Sequence, residues 1–234
     1  MIRPITGVEV RLQEQVAHML DGAGIERPPV DASLVAKGLG MDICLDRRQR
    51  TRGRLVEVKG KPTVFVRPEP RAERTQWTVA HEIGEWMIPK CFDDELDETW
   101  LWDEREELAN RFATLLLVPT GWWNFDTRMV GCDLLELKRM YETASYELLA
   151  GRLLDLDPPT VISIFDHGTL RRRLSNLESA STASFPLERE LQRQVHDSGV
   201  PAAREGEGIR VQAWPIHEPG WKREILRTVL EEAW

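Results

Sequence analysis

The sequence lacks any run of the roughly 20 apolar residues that a membrane-spanning helix needs, and its opening M-I-R-P-I-T-G-V-E-V has no apolar signal region. A soluble, cytoplasmic protein without a membrane partner is expected. Cysteine is scarce: Cys44, Cys91 and Cys132 are odd in number and lack C-x-x-C spacing, which argues against a disulfide scaffold and for a reduced, intracellular setting. The five histidines are scattered, so no His-rich metal tract is visible. Basic residues are outnumbered, 31 Lys and Arg against 39 Asp and Glu, for a formal net charge of -8. Phosphate affinity needs clustered positive charge, so no direct nucleic-acid binding is expected. With 234 residues, the chain is long enough for one large or two small domains with a real core.

What is present centres on Thr75 to Pro89, T-Q-W-T-V-A-H-E-I-G-E-W-M-I-P. Prolines at 68 and 70 break the preceding strand and Pro89 is expected to stop a helix whose apolar side is Trp77, Val79, Ala80, Ile83 and Met87. The stretch is nearly H-E-x-x-H, in which two histidines one turn apart hold a metal and the Glu between them is a general base. Here Glu85 fills the second histidine position. With Cβ atoms roughly 5 to 6 Å apart at i and i+4, His81 and Glu85 can share one ion. Zinc is the expected ion, and because a carboxylate in place of an imidazole makes the site harder, manganese or iron is less excluded.

A second amphipathic helix is expected over Asp103 to Pro119, with Leu108, Phe112, Leu115 and Leu116 as its buried stripe. Glu106, Ala109 and Ala113 share a strip, and the small residues would let this helix approach the first and bring Glu106 to the metal. Glu107 is the alternative third ligand. Either glutamate is also acceptable as plain surface charge near a helix N-terminus. Arg105 or Arg111 could balance the carboxylates.

At these two stretches the chain resembles the ImmA/IrrE metallopeptidases of bacteria and their mobile elements. A-H-E-I-G-E-W-M-I is similar to that family's A-H-E-x-G-H-x-L, and E-E-L-A-N-R-F-A-T-L-L-L-V-P to its E-x-x-A-N-x-F-A-x-x-L-L-x-P. With P-V-D-A-S-L-V-A-K-G-L-G-M-D-I upstream, the likeness covers most of residues 28 to 175. It implies a zincin-like fold in which His81 and Glu106 match metal ligands and Glu82 matches the general base, with Glu85 standing where a ligand histidine belongs. It also implies a function: a metallo-endopeptidase that cuts a helix-turn-helix transcriptional repressor, in stress response or mobile-element induction. The substitution at Glu85 supports a second reading, a catalytically inactive relative that regulates by binding a partner.

The expected fold class is α+β: a zincin-like core of helices and a small mixed sheet over residues 1–158, followed by a small α+β module over 159–234 beyond Pro158 and Pro159. The core would hold helices at Val8–Asp21 and Asp31–Lys37 and strands at Met41–Leu45, Arg54–Val58 and Thr63–Arg67. Val64 to Val66 is a candidate edge for docking an extended peptide. Residues 133–157 could pass for a helix-turn-helix but offer Glu147, Arg152 and Asp155 rather than base-reading side chains. The acidic stretch over residues 90–102 could form a rim, and Cys91 reads most simply as a small buried hydrophobe. In the C-terminal module, a hairpin turning at Asp166–Thr169, a charged helix from Leu187 to His196 and a last helix from Trp221 to Trp234 are expected. His167 and His217 have no partner at ligand spacing, and Arg171 to Arg173 read as a solvated strand end.

Overall fold

The structure is a computed structural model that describes residues 7–92, 102–177 and 183–231. The fold is α+β, and the chain divides into two compact units, Pro4–Ser145 and Tyr146–Trp234. The division falls ahead of the double proline at 158 and 159, so the two short helices of the helix-turn-helix-like stretch lie in different units.

In the first unit, helix α1 (Gly7–Gly22) buries Leu12, Val16, Met19 and Leu20, the i, i+4, i+7, i+8 stripe of an amphipathic helix. Helix α2 (Ala32–Gly38) starts at Asp31, whose carboxylate accepts from the Ser33 N–H and so satisfies one of the free donors of the first turn. Strands β1 (Asp42–Leu45), β2 (Gly53–Val58) and β3 (Lys61–Val66) form a sheet in the order β1-β3-β2. The β2–β3 hairpin turns at Lys59 and Gly60, both with positive φ (51° and 78°), the geometry that matches the twist of paired strands. Strand β3 is paired on both sides, in parallel with β1 and antiparallel with β2. Val64 to Val66 therefore has no free edge, and the docking role expected for it is incorrect: its ladder groups are already used.

Helix α3 (Ala72–Cys91) is longer than expected and carries Pro89 inside its last turn. Gln76 on α3 accepts from the Ala32 N–H at 2.7 Å and donates to Asp31 at 2.9 Å, which docks the start of α2 against it. Helix α4 (Trp102–Leu117) packs along α3 with Ala109, Phe112, Ala113 and Leu116 fully buried. Helices α5 (Thr120–Met129) and α6 (Leu134–Met140) follow, the latter capped by Asp133, which accepts from Leu135 and Glu136 N–H groups. The buried Tyr141 hydroxyl donates to Asp126 at 2.7 Å beside Trp123, closing this end of the core. The acidic rim expected over residues 90–102 lies largely outside the described residues.

The second unit opens with α7 (Tyr146–Arg152) and a 3-10 turn (Leu153–Asp155). Strands β4 (Thr160–Asp166) and β5 (Thr169–Ser175), helix α8 (Pro186–Ser198), and strands β6 (Ala202–Gly206), β7 (Ile209–Glu218) and β8 (Trp221–Leu230) complete it. The sheet is antiparallel throughout, in the order β5-β4-β8-β7-β6, and α8 lies on it through Leu191 and Val195 against Val211, Ala213 and Leu226. The helix expected from Trp221 onward is instead the central strand β8. Pairing with β4 on one side and β7 on the other satisfies its backbone, and Ile225 to Thr228 are buried between neighbours. Among the described residues no helix is long and apolar enough to cross a membrane.

Candidate metal centre

His81, Glu85 and Glu106 come together, each offering one ligand atom within 4.8 Å of the others. The first two share one face of α3, and the third arrives because α3 and α4 approach closely. A Cβ at Gly84 would stand 3.1 Å from the Ala109 carbonyl oxygen and 3.2 Å from Cβ of Phe112, so a larger residue at 84 would push the helices apart. His81 Nε2 lies 3.3 Å from Glu85 and 3.6 Å from Glu106. Ions bound at about 2.0 to 2.2 Å to nitrogen and oxygen leave ligands at such separations, so the donor set fits a divalent cation. Glu107, the alternative ligand, is exposed and outside the cluster. Arg111 is engaged elsewhere: its guanidinium grips the Glu9 carboxylate of α1, with Nε to Oε2 at 2.9 Å.

Glu82 lies beside the cluster, with its carboxyl group packed against Gly53 of β2. It is 5% exposed, receives a hydrogen bond from the Leu55 backbone N–H, and has one carboxyl oxygen without a hydrogen-bond partner among the described residues. Burial, reinforced by the charge of Glu85, pushes its pKa up to about 7. Glu82 and Glu85 are hydrogen-bonded to each other, which requires a proton on one of them, and Glu82 is the one that holds it. The hydrogen bond from His81 lowers the pKa of Glu85. Burial opposes the charge on His81, yet the Glu85 hydrogen bond and the charges of Glu85, Glu106 and Glu82 raise its pKa overall. The other ring nitrogen of His81, Nδ1, is buried and has no hydrogen-bond partner among the described residues. Metal-binding histidines ordinarily use that nitrogen to fix the ring, so this cluster lacks a customary support. Burial raises the thiol pKa of Cys91.

No protein-family model and no curated protein matches the sequence. Among solved structures, the chain is similar to a Mycobacterium tuberculosis transcriptional regulator, at TM-score 0.65 and 16% sequence identity, over 94% of this chain and 75% of that one. The likeness is one of fold, and at that coverage it takes in both units.

These findings correct the functional expectation. The solved structure that the chain resembles over its whole fold is named as a transcriptional regulator. The metallo-endopeptidase reading, its metallopeptidase and zincin labels, and a helix-turn-helix repressor as protein substrate are therefore set aside.

Proposed function

We propose that this protein is a regulator that acts by binding a protein partner and not by cutting one. The observation that carries the reading is the likeness to a transcriptional regulator over 94% of the chain, across the helical unit and the five-stranded sheet unit alike. The resemblance of the two helices to ImmA/IrrE proteins is compatible with it, as that of a relative that keeps the recognition scaffold with Glu85 in a ligand histidine's place. The net charge of -8 favours a protein partner over direct contact with DNA phosphates. In this reading His81, Glu85 and Glu106 hold a divalent cation, zinc or the harder manganese or iron, as a brace between α3 and α4. Its work is to fix the helix pair, and Glu82 is a buried support for β2.

The experiment is complementation. Deleting the gene in its source organism alters a set of transcripts, and restoring either the wild-type chain or Glu82→Gln, which keeps size and burial, returns them to normal. Failure of a folded Glu82→Gln chain to complement would overturn the reading, because a partner-binding regulator has no need of a proton acceptor at that position.

A further inference from the structure

We infer a second metal site, in the sheet unit, formed by His196, His217 and Glu224. His196 lies in the last turn of α8, His217 near the end of β7 and Glu224 on β8. In the β7–β8 register His217 faces Lys222, so Glu224, two residues further on, projects from the same face of the sheet as His217. Helix α8 covers that face and brings His196 down onto the same carboxylate. His196 Nδ1 lies 2.9 Å and His217 Nε2 2.8 Å from one oxygen, Oε1, of Glu224. The three ligand atoms lie within 4.8 Å of one another.

Burial sets this cluster apart from a surface group of acids. Glu224 is fully buried, and its other oxygen accepts from Gln192 Nε2 at 3.1 Å, which orients the carboxylate so that Oε1 faces the imidazoles. A carboxylate removed from water demands a positive partner. The neighbouring cations are committed elsewhere: Arg223 to Asp166 and Glu147, Arg173 to Glu188, and Lys222 to the His196 carbonyl oxygen. What faces the charge is two ring nitrogens, each of which in its neutral form carries a lone pair for a metal. Two imidazoles and one carboxylate are a donor set for zinc and its borderline divalent neighbours. The histidine side chains are 27% and 22% exposed, so the open coordination position faces solvent and an ion can enter without unfolding. Bound there, the ion ties α8 to the β7–β8 hairpin and sets a positive charge against the buried Glu224 carboxylate.

The test uses the full-length chain, without a histidine tag and stripped by chelator, in a His81→Ala/Glu106→Ala background that disables the first cluster. Cobalt(II) serves as the visible probe and zinc as the competitor. This chain is expected to take up about one cobalt per molecule with the absorption of nitrogen-rich, low-coordinate cobalt, and to lose it to zinc. Adding His217→Ala, or His217→Gln, which retains a hydrogen-bonding group for Glu224, weakens uptake by at least ~100-fold, beyond what outer-shell changes cost. Circular dichroism establishes that the variants remain folded. No uptake in the background chain, or uptake unchanged by both His217 substitutions, overturns the proposal. Neither outcome bears on the partner-binding reading, which complementation tests separately.

Discussion

Gly53 on β2 and Glu82 on α3 occupy one space: a Cβ built on Gly53 would stand 2.2 Å from Oε1 of Glu82 and 2.5 Å from Cγ2 of Thr78. Glu82 is 5% exposed and cannot swing away into solvent, so the absence of a side chain at 53 lets the buried carboxyl lie against the strand. Gly53→Ala is expected to destabilise the helical unit by about 1 to 3 kcal/mol through overpacking. The cost should shrink in the Gly53→Ala/Glu82→Ala double variant, because the two residues compete for the same volume. Chemical unfolding of the four chains measures the coupling, and additive effects would show that the contact is relieved some other way.

Arg173 is a buried partner and not the solvated strand end its sequence context implies. It donates to both oxygens of the fully buried Glu188, which also accepts from the Thr228 hydroxyl and the Phe185 N–H. Arg173→Met would strand that carboxylate and is expected to cost about 3 to 5 kcal/mol. Arg173→Met/Glu188→Leu, which removes both charges, should recover most of it. Calorimetric melting of the single and double variants distinguishes this from an exposed pair, for which both changes would be nearly silent.

The helix pair of the first unit was legible because its information is local. His81 and Glu85 are one turn apart, the apolar stripes run at helical period, and Ala109 and Ala113 mark where two helices can meet. Strand β8 was misread for the same reason. Trp221, Ile225, Leu226, Val229 and Leu230 recur at helical spacing, yet strands on both sides claim the backbone. Pairing partners far away in the chain likewise placed β3 in the interior of its sheet. His196, His217 and Glu224 come from three elements with no ligand spacing among them, so only the register of β7 against β8 and the seating of α8 bring them together.

Asp166 and Arg223 make stability depend on pH in the sheet unit. The guanidinium donates to both carboxylate oxygens, at 2.6 and 2.9 Å, and this pairing holds Asp166 below its usual pKa of 3.8. A group whose pKa is lower folded than unfolded adds stability above its unfolded value. It loses that contribution as pH falls through the folded one. Asp166→Asn should therefore be less stable than wild type at neutral pH, with the gap closing as the pH drops below about 4. Urea unfolding of both chains at a series of pH values tests this. A gap that holds constant into acid would mean that the ion pair does not link folding to protonation.

The brace assigned to His81, Glu85 and Glu106 predicts a thermal signature separable from that of the second site. In a His217→Ala background, where only the first cluster remains whole, a divalent ion at about 100 times its dissociation constant should stabilise the chain by about 2.7 kcal/mol. Glu106→Ala in that background removes the ligand that α4 contributes and should abolish the shift. Glu85→His should move preference toward zinc and away from manganese, because an imidazole replaces a hard carboxylate and lowers the negative charge facing the ion. Melting curves with each metal decide the matter. A shift that survives Glu106→Ala would place the ion outside the α3–α4 pair, and no shift with any of the three metals would leave the cluster as a hydrogen-bonded group of acids around His81.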